Sequence, residues 1–177
     1  MSKTASPLSD NSPILIALGA NLPTAAFGPP RAALEAALAE LGRRGLKVTR
    51  QSRWYESAPV PASDQPWYVN GVVEVETSLG PEALLSLLHE VEAAFGRVRR
   101  ELNAPRTLDL DLIAYGAAVR EDGPPPLLPH PRMADRAFVL LPLAEIRPDW
   151  RHPVLQRTAA ELAANLPNDQ PIRVAQG

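Results

Sequence analysis

The segment Thr107-Leu108-Asp109-Leu110-Asp111-Leu112 sets a leucine at every second position, and a period of two belongs to a β-strand buried on one side. A helix would spread these residues around its axis. A strand sends the leucines to one face and both aspartates to the other, so it needs an apolar layer on one side and a polar environment on the other. Same-face neighbours have Cα atoms about 6.6 Å apart, twice the rise per strand residue. At that spacing Asp109 and Asp111 repel each other, and a cation between them relieves the repulsion. Oxygen-only ligands favour Mg²⁺, which takes one or two carboxylates and completes its shell with water and substrate phosphates. The alternative is a solvated acidic face neutralised by nearby arginines.

The rest of the chain supplies partners for such a strand. The apolar run 14–18, bounded by Pro13 and Gly19, has the length and flanks of a buried first strand. Leu34, Ala37, Leu38 and Leu41 repeat at helical spacing after Pro29 and Pro30 and before Gly42. Leu46, Val48 and the residues to Tyr55 predict a second strand, and a proline-rich loop leads to a third from Trp67 to about Ser78. In that third strand Val69, Gly71, Val73 and Val75 point one way, and Tyr68, Asn70, Glu74 and Glu76 the other. Pro81 opens a second helix with an apolar stripe of Leu84, Leu87, Leu88, Val91 and Phe95, and Gly96 suits a left-handed C-cap. Residues 108–115 form the fourth strand.

The order β-α-β-β-α-β predicts an α+β, ferredoxin-like antiparallel sheet with both helices on one face and the other face free for ligands. C-terminal additions follow: a loop at 123–126, an apolar run at 138–143 and a helix near 158–165, all expected to pack onto the same domain. With 177 residues, one domain over 13–177 is the expectation. Residues 1–12, polar and rich in proline and serine, are expected to be a disordered leader.

Composition narrows the function classes. A formal charge of −2 argues against nucleic acid as the main partner, because duplex binding needs a basic face. No stretch reaches the roughly 20 apolar residues of a membrane span, and no signal peptide precedes the domain, so no membrane contact and a cytoplasmic location are expected. The absence of cysteine excludes disulfides and thiol nucleophiles.

Arg97, Arg99, Arg100 and Arg106 flank the turn before the aspartate strand, where guanidinium groups can bind phosphate bidentately or simply oppose the helix dipole. No P-loop pattern is present, so side chains and metal must hold any phosphates. A further cluster, Pro129-His130-Pro131-Arg132 with Arg136 and Phe138, offers a histidine and two arginines near a loop end. His89 is expected on a helix surface and His152 in a loop, each with a structural role.

Taken together, these segments resemble the 6-hydroxymethyl-7,8-dihydropterin pyrophosphokinase family of folate biosynthesis over residues 14–153. The anchors are Gly19-Ala20-Asn21-Leu22, Asp64-Gln65-Pro66 with Tyr68 and Asn70, and Glu92 with Gly96-Arg97-Val98-Arg99. Two more are Ala104-Pro105-Arg106 running into the aspartate segment, and Pro129-His130-Pro131 with Arg136, Phe138, Val139, Leu140, Pro142 and Leu143. The resemblance implies a ferredoxin-like fold and an attack of the pterin hydroxymethyl oxygen on the β-phosphorus of ATP, releasing AMP. It implies two Mg²⁺ ions on Asp109 and Asp111, with Arg97 and Arg106 stabilising charge on the transferring group. Arg99, Arg106, His130 and Arg136 would grip ATP, and Glu92 and Leu112 would line the nucleotide pocket. The pterin would meet Tyr68, Asn70 and Phe138, with Ser57, Ala58 and Val60 giving loop contacts. Tyr68 and Asn70 share a strand face, so an aromatic ring and an amide can meet one flat heterocycle.

Loops 56–66 and 97–105 are expected to close over the substrates and exclude water. The chain departs from the family pattern at Leu102, where a basic residue is common, at Asn103, where many relatives carry an aromatic, and at Ala58, where some carry proline. The competing readings are a ferredoxin-like RNA-binding module, which lacks the aromatic pattern such modules use, and a catalytically inactive regulatory relative. Small-molecule substrates are the expected partners of a chain taken as a monomer.

Overall fold

A strand covered on both faces carries apolar residues without alternation, and Ile14–Ala20 (β1) is buried along its whole length. It lies inside an antiparallel sheet, between Tyr68–Glu76 (β4) and Asp109–Tyr115 (β5). The structure, a computed structural model, describes residues 13–59, 61–96 and 107–176; the leader at 1–12 lies outside them. In chain order the other elements are Pro30–Arg43 (α1), Lys47–Gln51 (β2), Tyr55–Ser57 (β3), Pro81–Ala94 (α2), Ala137–Ile146 (α3), Ala159–Ala164 (α4) and Ile172–Val174 (β6). Strands run β5-β1-β4-β3-β6 across the sheet, with β2 also paired to β4.

The expected second strand is two strands, β2 and β3, separated by a bend at 52–54. Ser52 causes it: its hydroxyl accepts the Val72 N–H at 3.0 Å and donates to the Arg53 carbonyl at 2.7 Å. Trp54 then turns across Gly71, where a Cβ would stand 2.7 Å from the indole ring. Gly42 does not end the first helix; the chain reverses at Gly45, with φ +98°. Pro30 and Pro81 occupy the first turns of α1 and α2, and Gly96, with φ +86°, follows α2.

One face of the sheet is closed by α1 and α2. Leu34, Ala37 and Leu41 of α1 and Leu84, Leu88 and Val91 of α2 pack on Ile16, Leu18, Val73, Leu110 and Leu112. The opposite face is not free, as the sequence had suggested. Its apolar floor of Leu15, Ala17, Val72 and Ile113 is covered by Val139, Leu140, Leu143 and Ile146 of α3, with Trp150 and Leu162 beyond. The physical reason lies in α3, whose residues 137–144 are all apolar; a helix with so little polar surface has to be buried.

Two carboxylates fasten this cover. Glu74 is 7% exposed, so it is not part of an open acidic face; it accepts from Arg147 Nε at 2.6 Å and from the Thr49 hydroxyl at 2.6 Å. Burial pushes its pKa up, but those hydrogen bonds and the charges of Arg147 and Arg50 outweigh burial and hold it below the ordinary carboxylate value. Glu145 on α3 accepts from the Tyr55 hydroxyl at 2.6 Å and from the Arg53 N–H at 2.8 Å, tying the helix to β3.

Candidate active site

The covering helices leave one end of the second face open, and a cleft forms there. Its floor is set by register. Gly19 on β1 pairs with Asp109 on β5 and Asn70 on β4, and Ala17 pairs with Asp111 and Val72. Asp109, Gly19 and Asn70 thus form one row, and Asp111 stands in the next. Both aspartates are half-buried and line the cleft, on the same face as the sequence pattern required. The residues between them and the β4 side chains are a glycine and an alanine, which leaves space directly above the strands. At Gly19 a Cβ would come within 2.9 Å of Asn70 Oδ1, so the glycine is required by close approach.

Asn70 is 4% exposed, and its amide donates to the Ser57 hydroxyl at 2.6 Å. The β3–β4 register places Ser57 opposite Tyr68, so Ser57, Tyr68 and Asn70 form a connected wall. Ala58, Pro59, Pro61, Ser63 and Gln65 continue it along the proline-rich loop. That loop is anchored at its far end by Asn21, which is almost fully buried and donates to Gln65 Oε1 at 3.1 Å and to the Pro66 carbonyl at 3.2 Å.

Arg136 and Phe138, at the start of α3, supply a further wall of the cleft, with the guanidinium 5.3 Å from the centre of the Phe138 ring. His130 donates its backbone N–H to Ile113 at 2.8 Å, and its Nδ1 accepts the Arg132 N–H at 3.2 Å. An accepting Nδ1 leaves Nε2 to carry the ring proton. Burial lowers the His130 pKa, the Arg136 charge lowers it further, and Asp109 opposes both. The imidazole is therefore neutral at neutral pH and sits within electrostatic reach of Arg136 and Asp109.

The structure thus brings together Asp109, Asp111, Tyr68, Asn70, Phe138, Arg136, Ser57, Ala58 and, at the edge, His130. It does not bring Glu92 and Leu112 to this cleft. Leu112 is packed in the core beneath α1 and α2. Glu92 is 1% exposed, and its carboxylate accepts the Leu110 N–H at 2.8 Å, capping the edge of β5 between its two aspartates. Arg97, Arg99, Arg106 and Val60 lie outside the described residues, as do Leu102 and Asn103.

Among the described residues no three acidic or histidine side chains cluster closely enough to cage a metal. Two carboxylates opening onto a cleft suit Mg²⁺, which leaves the rest of its shell to water and phosphate oxygens. Sequence reasoning passed over Ala17 and treated Gly19, Asn21 and Gln65 only as parts of motifs. A glycine inside an apolar strand pattern was the available signal, since it marks a close approach.

Residues 15–148 match the family model for 7,8-dihydro-6-hydroxymethylpterin-pyrophosphokinase. The chain is 44% identical over 149 residues to the 2-amino-4-hydroxy-6-hydroxymethyldihydropteridine pyrophosphokinase of Synechocystis sp., covering 84% of this chain and 73% of that protein. To the protein of the same name from Pseudomonas aeruginosa it is 41% identical over 141 residues, 79% of this chain and 83% of the relative. The crystal structure of wild-type Plasmodium falciparum HPPK-DHPS superposes with a TM-score of 0.63 at 14% identity over 89% of this chain. The match spans 45% of that longer chain, and the likeness there is one of fold. With its sheet, its paired aspartates and these matches in agreement, the chain belongs to the 7,8-dihydro-6-hydroxymethylpterin-pyrophosphokinase family.

Proposed function

We propose that the cleft is the active site of a 2-amino-4-hydroxy-6-hydroxymethyldihydropteridine pyrophosphokinase, which passes a diphosphate from ATP to 6-hydroxymethyl-7,8-dihydropterin in folate synthesis. The observation that carries this reading is the row Asp109–Gly19–Asn70, in which a carboxylate and a heterocycle-reading amide face each other across a gap with no side chain.

In the reaction the hydroxymethyl oxygen bonds to the β-phosphorus of ATP. The bond from that phosphorus to the oxygen shared with the α-phosphate breaks, AMP departs, and the hydroxyl proton is released. Asp109 and Asp111 would hold two Mg²⁺ ions, which when bound neutralise phosphate oxygens and the leaving AMP. Tyr68 from β4 and Phe138 from α3 both line the cleft, and their aromatic surface suits stacking on the flat pterin. With its amide nitrogen held by the Ser57 hydroxyl, Asn70 keeps its amide oxygen on the Gly19 side as an acceptor. His130, neutral and with Nε2–H as donor, is suited to a phosphate oxygen, and Arg136 supplies the cation beside it. Arg97, Arg99, Arg106 and Val60 enter by resemblance, the arginines as further phosphate ligands and Val60 in the pterin loop. Glu92 and Leu112, assigned to a nucleotide wall by the same resemblance, are better suited by their burial to positioning β5.

Among the described residues no helix is long and apolar enough to cross a membrane. ATP and a soluble pterin as substrates suit an enzyme working in the cytoplasm. The test is AMP release from ATP with and without 6-hydroxymethyl-7,8-dihydropterin, in Mg²⁺ and in excess EDTA. Pterin- and Mg²⁺-dependent AMP is expected. Folded protein that forms none would leave the family's fold without its reaction.

A further inference from the structure

Helix α3 begins without the cap its position calls for. The first N–H groups of a helix have no partner within it, and Ser, Thr, Asp or Asn usually supplies one at the N-cap. Here the N-cap is Arg136, which makes no capping bond. The partner comes from 33 residues downstream: Gln170 Oε1 accepts the Ala137 N–H at 2.9 Å. The same side chain donates from Nε2 to the Asp135 carbonyl at 2.8 Å. One amide therefore grips the backbone on both sides of Arg136, as a neighbouring strand would. Position 136 is released from capping and can carry an arginine turned to the cleft.

The residues immediately after Gln170 hold the other wall. The Pro171 carbonyl accepts the Ala58 N–H at 3.1 Å, and β6 pairs with β3 so that Ile172 stands opposite Ser57. Arg173 stacks 4.8 Å over the Trp67 ring and lies 3.5 Å from Glu56. Within three residues the chain passes from the Arg136–Phe138 wall to the Ser57–Ala58 wall. This segment lies downstream of the part covered by the family match.

We propose that residues 170–174 form a strap that sets the width of the cleft, with Gln170 as a positioning residue that holds Arg136 and Phe138 at pterin-stacking distance from the Ser57–Asn70 wall. The proposal rests on the pterin pyrophosphokinase reading of the site. Gln170 touches no substrate in this scheme; it acts through the turn it clamps. Its loss should loosen one wall and leave the carboxylates on β5 where they are, so substrate capture suffers and the chemical step does not.

The experiment measures pterin-dependent AMP release and thermal unfolding for the full chain, Gln170→Ala and Gln170→Glu. The glutamate variant keeps the acceptor for Ala137 and loses the donor to Asp135. Expected for Gln170→Ala is a KM for 6-hydroxymethyl-7,8-dihydropterin raised ~10-fold, with kcat changed less than about twofold and an unfolding midpoint lowered by only the roughly 2–4 °C that a lost helix cap costs. Gln170→Glu should recover part of the lost KM. An unchanged KM in Gln170→Ala overturns the strap while leaving the function intact. So does a fall in kcat and unfolding midpoint together, which would make Gln170 a structural brace. Failure of the parent chain to release AMP in the presence of pterin would remove the functional reading itself, and the strap's role with it.

Discussion

Under α1 and α2 the sheet presents Ile16, Leu18, Val73, Leu110 and Leu112 to a closed apolar layer, whereas the cleft end of the other face presents Ala17, Gly19, Asn70, Asp109 and Asp111. The same three strands supply both sets, residue by alternate residue. The difference teaches how function is accommodated: one face carries the stability that lets the other hold two like charges side by side. Substitutions on the first face should therefore act on folding, and those on the second on turnover.

The largest separation is expected from the double variant Asp109→Ala/Asp111→Ala. Losing a metal clamp worth several kcal/mol should lower AMP release by about a thousandfold or more, far more than it changes the unfolding midpoint. A double variant that keeps its activity would place the metal elsewhere and end the comparison. Its mirror is Leu88→Ala on the closed face. Removing that fully buried side chain should cost ~2–5 kcal/mol in urea unfolding and leave kcat of the folded enzyme near the parent value.

A finer test uses two glycines on paired strands. Gly71→Ala drives a Cβ toward the Trp54 ring and should cost ~1–3 kcal/mol of stability. Gly19→Ala drives one against Asn70 Oδ1 and should instead weaken pterin binding about tenfold, with little change in unfolding. If both variants lose stability equally, the division between faces fails at the level of single positions.

The smallest effect concerns the cover rather than the cleft. His152 is buried, and its Nδ1 accepts the N–H groups of Val154 and Leu155, both at 3.1 Å. Burial lowers its pKa below the ordinary 6.5. The unfolded chain then binds the proton more readily, so this contribution to stability is present above about pH 6.5 and is lost as pH falls below it. His152→Asn keeps an acceptor and removes the titration. Its unfolding midpoint should fall less between pH 7 and pH 5 than that of the parent, and equal slopes would relieve His152 of that role.

Much of this was legible in the sequence where a pattern had one physical cause. The Leu-Asp alternation fixed the orientation of β5, and Pro30, Pro81 and Gly96 marked helix ends through their own backbone preferences. Thr158 caps α4 by accepting the Glu161 N–H, near where a helix start was expected. What escaped depended on partners distant in the chain. Ser52 breaks a strand because Val72 comes alongside it. Glu74 stood only as a polar residue on the face shared with Tyr68 and Asn70, because Arg147, 73 residues later, was invisible to local pattern. The second face seemed open because the all-apolar stretch of α3 carries no periodicity that says what it covers. Gln170 gave no signal at all: a lone glutamine near a helix becomes a cap only once the chain has folded back.

The alternation in β5 also guards the fold against its own nearest error. Strands of such regular period can pair one residue out of step, and every side chain then changes face. Here a slipped β5 would drive Asp109 and Asp111 beneath α1 and α2, where buried charge without a partner is heavily penalised, and would push Leu110 and Leu112 into water. The two carboxylates thus act as proofreaders during assembly, and a chain that has folded at all has, by that fact, presented both of them to the cleft.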